Sequence, residues 1–245
     1  MAALKRHKEV KTPLIYSEGS ADIMYIYYPS CNFQKFFPDT AAKIRAYMKT
    51  QPDVMIAGCC HKTSALPKPG DVIVTVCLSC MRTLDEVRSD IPGISLFEFL
   101  LTRDDFVWPD LAGREMTLQD CVRARGKHSL QDAVRACLAK MKVQTVEMEE
   151  NRDKAAFDGS FLLHDPYPQN MEEAPSYFAD YLPPHLSPMP EEEWPRIYRE
   201  QVARYTTEEV VTYCNTCCRG AREGDVEKQH QIHHLAELIF SQYQL

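Results

Sequence analysis

The stretch Val72-Ile73-Val74-Thr75-Val76-Cys77-Leu78-Ser79-Cys80-Met81-Arg82 decides the fold. Five β-branched or apolar residues run without alternation straight into a C-x-x-C, as expected of a strand covered on both faces of a parallel sheet. The same pattern returns as Val211-Thr212-Tyr213-Cys214-Asn215-Thr216-Cys217-Cys218-Arg219. Downstream, Leu96-Phe97-Glu98-Phe99-Leu100-Leu101 is echoed by Leu235-Ala236-Glu237-Leu238-Ile239-Phe240. Each half therefore reads strand, C-x-x-C, helix, apolar segment, which points to two tandem copies of one α/β unit.

Other runs fit the same reading. Ile23 to Tyr28, Val54 to Ala57 and Val143 to Met148 are strand-like. Helical patterns alternate with them: one capped at Asp39 or Thr40, and one capped at Ser129 with Leu130, Ala133, Val134, Cys137, Leu138 and Met141 on a single stripe. A third runs near Glu191 to Tyr205, with Glu191-Glu192-Glu193 as its first turn. The expected architecture is α/β: two pseudo-repeated units with short, mostly parallel sheets flanked by helices and cysteines at the strand C-terminal ends. The boundaries read as an N-terminal extension over 1–20, a first unit over 21–108 and a second over 109–245. Eight prolines between 165 and 195 mark an insertion in the second unit with little regular structure.

The chain has 245 residues, and 28 Lys plus Arg against 35 Asp plus Glu give a net charge of −7. That length builds a core without disulfides, so the 10 Cys do not read as a secreted scaffold. The acidic balance and dispersed cations argue against a nucleic-acid partner. The basic group Lys5, Arg6, Lys8 and Lys11 precedes no apolar run of signal-peptide type, and no run approaches the ~18 apolar residues of a membrane span. These features point to a soluble, cytoplasmic chain, where clustered thiols usually serve metal, cluster or redox chemistry. With only 9 Gly, no phosphate loop is present, nor any nicotinamide or flavin fingerprint.

Cys31, Cys59, Cys60, Cys77 and Cys80 each follow an inferred strand, and such ends lie side by side in an open α/β sheet. Five thiolates exceed the four taken by a structural zinc or a cubane cluster. Gly58 before the Cys59-Cys60 pair permits a turn that aims both at one centre. In the second half Cys121, Cys214, Cys217 and Cys218 form a smaller set, while Cys137 falls on the apolar helix stripe and reads as core. His230, His233 and His234 read as an ordinary helix end, and His128 and His164 as loop residues near the second set.

The order Cys, 27 residues, Cys-Cys, 16 residues, C-x-x-C resembles the cysteine-rich CCG-domain family, that of the CCG-bearing subunit of heterodisulfide reductase and its relatives. The segments Asp53 to Cys60, Val76 to Cys80 and Ser95 to Leu100 carry the likeness, and Leu130 to Arg135, Phe157-Asp158-Gly159, Val211 to Cys214 and His234-Leu235 extend it. The resemblance implies a non-cubane [4Fe–4S] cluster on Cys31, Cys59, Cys60, Cys77 and Cys80. It also implies electron transfer, with cleavage of a disulfide or thiol-type substrate by analogy. Without an entry cofactor of its own, the chain would take electrons from a partner protein or subunit, flavoprotein or ferredoxin-like. Two departures stand out: His61 replaces the motif glycine, and the second half has Asp158 where a Cys is expected. Its remaining cysteines would hold a second [4Fe–4S] cluster or zinc. The competing readings are a zinc-binding structural or interaction module on the same cysteines, and a thiol–disulfide oxidoreductase using Cys77 and Cys80.

Overall fold

The computed structural model describes residues 23–245, so the extension over 1–20 and its basic group lie outside the described residues. The first part runs β1 (Tyr25–Tyr28), α1 (Cys31–Phe36), α2 (Pro38–Thr50), β2 (Val54–Ile56), β3 (Val72–Thr75), α3 (Leu78–Val87), β4 (Gly93–Ser95) and α4 (Leu96–Leu101). The second runs β5 (Glu115–Gln119), α5 (His128–Lys140), β6 (Gln144–Glu147), α6 (Pro168–Glu173), α7 (Trp194–Val202), β7 (Glu209–Thr212), α8 (Asn215–Gly224), β8 (Gln231–His234) and α9 (Leu235–Ile239). The strands form two four-stranded sheets, ordered β2-β1-β3-β4 and β6-β5-β7-β8, with every pair parallel. The chain is thus mixed α/β with two equivalent parallel sheets. Among the described residues, no helix is long and apolar enough to cross a membrane.

The repeat extends to helix caps. Ser95 Oγ accepts from Glu98 N at 3.1 Å while Glu98 Oε2 accepts from Ser95 N at 2.7 Å, a capping box that starts α4. At the equivalent place His234 Nδ1 accepts from Ala236 N at 3.2 Å, and Glu237 Oε2 accepts from His234 N at 2.8 Å. The histidines expected at a helix end therefore lie on or beside strand β8, with His234 as the cap of α9. The apolar segments after each C-x-x-C are helices, each preceded by a short strand.

Other elements differ from expectation in detail. Helix α2 starts at Pro38, where fixed φ suits the first helical position, and Phe37 takes the cap without a side-chain bond. Helix α5 starts at His128, which puts Ser129 inside its first turn. The Glu191–Glu193 run is a separate 3₁₀ turn leading into α7. The Pro-rich segment is a chain of short helical turns: α6, a π-helical turn at Ser176–Tyr181 and a 3₁₀ turn at Pro183–His185. Pro168 and Pro183 open two of these, and Phe161, Ala174, Tyr177, Phe178 and Leu182 give the segment its own small apolar cluster.

The two sheets share one hydrophobic core. Phe97 and Leu100 from α4 and Leu130, Val134 and Cys137 from α5 belong to a single buried cluster that also holds Tyr27, Val74, Val211 and Leu235. Cys137 is fully buried there, with Sγ 3.7 Å from the Phe97 carbonyl, as its place on the helix stripe predicts. Polar ties reinforce the join: Arg82 Nη2 donates to the carbonyls of Arg123 at 2.7 Å and Arg125 at 2.6 Å, and Lys43 Nζ to that of Phe240 at 3.2 Å.

Candidate metal centre and cysteine-lined cavity

Cys31 opens α1 directly after β1, Cys59 and Cys60 follow β2, and Cys77 caps α3 after β3 with Cys80 in its first turn. Parallel strands place these ends on one rim of the sheet. Cys31, Cys60, Cys77 and Cys80 line a single cavity of about 370 Å³, walled on the far side by Phe161, His164 and Tyr167 of the second sheet's segment. Cys60 Sγ lies 3.4 Å from Cys80 Sγ. Cys31 is exposed, Cys59 half-buried and the other three buried, and all are free thiols.

Cys59 does not line that cavity, although it is an electrostatic neighbour of Cys31. The reversal that separates the pair comes after it rather than before. The Cys59 carbonyl accepts from Lys62 N at 3.0 Å, Thr63 N at 2.9 Å and Thr63 Oγ1 at 2.9 Å. Gly58 is not among the glycines with positive φ, so the turn does not draw on that freedom.

The thiols are unequal. A hydrogen bond from Cys80 lowers Cys60, and a hydrogen bond with Cys80, opposed by burial and aided by the charge of Arg123, lowers Cys77 to about 6. Cys80, bonded to both, is pushed well up and holds the shared proton. Burial raises Cys31. Two sulfurs are therefore set towards thiolate, the form that binds soft metals and iron–sulfur clusters.

Ser30 sits at φ 58, a left-handed conformation costly for a residue with a Cβ. Its hydroxyl accepts from Phe33 N at 3.3 Å and also hydrogen-bonds Cys77. Ser30→Gly is expected to stabilise the fold by about 1 kcal/mol, since glycine relieves the strain and loses little as a cap. It should also raise the Cys77 thiol. Denaturant unfolding together with thiol-alkylation rate against pH checks both, and a destabilised variant with unchanged alkylation rules out this role.

In the second part, Cys121 follows β5, and Cys214 and Cys217 follow β7. Asp158 precedes the 3₁₀ turn Gly159–Leu163. The Sγ atoms of Cys121, Cys214 and Cys217 and a carboxylate oxygen of Asp158 all lie within 4.8 Å of one another, fully enclosed by protein. These four side chains are able to hold a metal ion. A tetrahedral zinc with Zn–S near 2.3 Å sets its sulfurs roughly 3.8 Å apart, within reach of this spacing.

A buried arginine, Arg123, faces the same group. Its Nη2 donates to Asp158 Oδ1 at 2.7 Å, Thr216 Oγ1 at 2.7 Å and Cys214 Sγ at 3.2 Å, and its Nε lies 2.5 Å from Asp158 Oδ2. Its Nη1 donates to Ser79 Oγ, inside the first C-x-x-C, and its guanidinium stacks over Phe161 at 4.2 Å. Burial pushes the Asp158 carboxyl up to about 8 even against the pull of Arg123. Burial alone would raise Cys214. Hydrogen bonds from Cys121 and Cys217, the charge of Arg123 and Thr216 together bring it well below the usual thiol value. One guanidinium thus bonds Cys214 in the second group and Ser79, between the two cysteines of the first C-x-x-C.

Cys218 does not join the four. One residue beyond Cys217 on α8, its side chain turns into the core, and burial pushes its thiol up to about 12. Asp158 takes the fourth place instead. His61 lines the first cavity with Nδ1 2.5 Å from Glu173, and His128 pairs with Asp153 at 2.7 Å away from both groups. Arg123 was not legible as a site residue, because nothing in Cys121-Val122-Arg123 marks one arginine as buried.

No protein-family model and no curated protein matches the chain. Among solved structures it is similar to glutamate racemase isoform RacE1 from Bacillus anthracis, with 9% identity, a TM-score of 0.35, and coverage of 89% of this chain and 78% of that one. A likeness that distant carries no argument, so the chemistry rests on the side chains themselves.

Proposed function

We propose that the chain is an iron–sulfur redox protein like the CCG-bearing component of heterodisulfide reductase, working with a partner that supplies electrons. The observation that supports this most is the meeting of Cys31, Cys60, Cys77 and Cys80, from three strands, around one cavity of about 370 Å³. The donor set is all soft sulfur, and among the described residues no three of these thiols close into the tight group that a single ion needs. A site that surrounds space suits a multi-atom cluster better than one zinc. Cys31, Cys60, Cys77 and Cys80 would hold it, with Cys59 at its margin. When bound, such a cluster supplies one-electron transfer beside any sulfur compound held in the cavity.

The chain's own residues prepare that site. Cys60 and Cys77 are lowered towards thiolate whereas Cys80 is raised, so loading should improve as pH rises. A disulfide substrate would take two electrons from the partner and two protons and leave as two thiols. His61 and His164 are the imidazoles on the cavity wall that could carry those protons. The free thiols suit a reducing compartment such as the cytoplasm. At the second group the close four-ligand spacing favours zinc over a cluster.

Purification and reconstitution under argon test this reading. The expected result is a brown protein with about four iron and four sulfide per chain, bleached in air, and colourless after Cys31→Ser or Cys80→Ser but not after Cys218→Ser. Less than about one iron per chain, with zinc instead at the first cysteines, would replace it with the zinc-module reading.

A further inference from the structure

A second and larger cavity, of about 610 Å³, lies apart from the cysteines, and no lining residue is common to the two. Three parts of the chain build it: α3, the Arg125-Gly126 loop ahead of α5, and the Pro-rich insertion. Its volume falls in the range of small-molecule sites. The insertion enters as the π-helical turn Ser176–Tyr181, a rare form that recurs at functional sites. That turn sets the rings of Tyr177 and Tyr181 5.4 Å apart with 25° between their planes. Glu86 of α3 pins it, Oε1 accepting from Ser176 N at 2.8 Å and Oε2 from Tyr177 N at 3.3 Å. The Arg82 guanidinium lies 4.7 Å from the Tyr177 ring centroid, so three flat π-systems border the cavity together.

The charges on this wall are not equivalent. Its three acids are committed: Glu86 to the π-helical turn, Asp85 to Lys127 at 2.5 Å, and Asp153 to Gly126 N at 2.9 Å and His128 at 2.7 Å. Its two arginines form no ion pair among the described residues. Arg82 gives Nε and Nη2 to backbone carbonyls of Arg123 and Arg125, which fixes its plane and leaves Nη1 free. Arg125 gives only Nε, to the Ala155 carbonyl at 2.8 Å, and both terminal amino groups have no protein acceptor among the described residues. The uncommitted charge is thus positive and lies beside flat aromatic surface. We propose that this cavity binds a free mononucleotide, its base stacked on the tyrosine–arginine surface and its phosphate held by Arg125. Nucleobases stack on tyrosine rings and guanidinium planes, and an arginine fork matches phosphate oxygens. Guanidinium groups supply here the charge that a glycine-rich loop supplies through its backbone. A net charge of −7 disfavours a long polyanion, which selects the free nucleotide over a nucleic acid. None of this rests on the redox reading, since no cysteine lines the cavity.

Calorimetry on the full chain tests the site with four probes: adenosine monophosphate, flavin mononucleotide, adenosine and ribose 5-phosphate. At least one of the two mononucleotides should bind about tenfold or more tightly than adenosine or ribose 5-phosphate, each of which carries half of the recognised chemistry. The tighter of the two identifies the ring system. Arg125→Gln should weaken that mononucleotide about tenfold while leaving adenosine unchanged, and Arg125→Lys should retain part of the affinity. Tyr181→Ala should weaken it about tenfold and Tyr181→Phe should not, because only the ring face is used. Tyr181 is exposed and Arg125 half-buried, so the fold should survive, and an unchanged urea midpoint confirms that for each variant. Mononucleotides that bind no more tightly than ribose 5-phosphate reduce the cavity to an anion site and overturn the proposal. So does binding that ignores both Arg125→Gln and Tyr181→Ala. Iron content is read separately, and a chain that takes no iron yet shows both variant effects keeps the nucleotide site while losing the cluster.

Discussion

Arg123→Met is expected to destabilise the protein by about 3–5 kcal/mol well above pH 8, where the wild-type Asp158 is ionised, the usual cost of leaving one member of a buried ion pair alone. Arg123 and Asp158 are 3% and 0% exposed, so water cannot take over the lost contact. Burial already holds the Asp158 carboxyl at about 8, and without the guanidinium it must climb further. The sign follows from linkage. An acid whose folded value lies above its unfolded value of about 4 favours folding when protonated, and that stability is lost as pH rises. Wild type and variant both hold the neutral carboxyl below about pH 8, so the penalty should grow above that pH, where only the wild type gains a paired carboxylate, and level off below it. Adding Asp158→Asn should recover much of it, since the stranded charge is then gone. Urea unfolding at two pH values decides the matter: a penalty under ~1 kcal/mol, or one that grows in acid, would show that Arg123 does not balance Asp158.

Gly159→Ala is expected to cost about 2–5 kcal/mol and to weaken metal binding at the four-ligand group. A Cβ there would lie 2.0 Å from the Thr216 carbonyl oxygen and 2.5 Å from its carbon, and φ is +47. Thr216 lies between Cys214 and Cys217, so the clash must part Asp158 from those sulfurs or displace the start of α8. Gly113→Ala is the comparison, because Gly113 also has positive φ, +84, but meets nothing within 4 Å. It should lose only the conformational part, about 1–2 kcal/mol. Equal losses in the two variants would mean that close packing against Thr216 contributes nothing.

Legibility followed burial pattern. β1, β3 and β7 are buried apolar runs ending beside a cysteine, so composition and position agree. β4 and β8 escaped because Gly93-Ile94-Ser95 and Gln231-Ile232-His233-His234 are short, partly polar edge strands. β5 escaped although it is central, since Glu115-Met116-Thr117-Leu118-Gln119 carries buried polar side chains that a run of apolar residues would not. Thr117 there is satisfied by Thr207, and Gln119 by Gln201.

The site divided in the same way. Spacing brought Cys31, Cys60, Cys77 and Cys80 to one rim, and Asp158 stood out as an acid in a cysteine's place. Cys218 misled because adjacency in sequence resembles a ligand run, whereas one step along a helix turns a side chain by about 100°. Arg82, Arg125, Tyr177 and Tyr181 meet only through the packing of sequence-distant segments, which no local pattern reveals.

A continuous apolar interior spanning both sheets also limits how molecules come and go. Where halves of an enzyme meet across a small, polar seam, they rock apart and admit a ligand by opening. Here such rocking would expose Phe97, Leu130, Tyr213 and their neighbours to water. Traffic to the sulfurs must instead pass through a fixed doorway, adjusted by side-chain rotation and by the proline-punctuated wall. Selection by size would then take place at the threshold, before any chemistry begins.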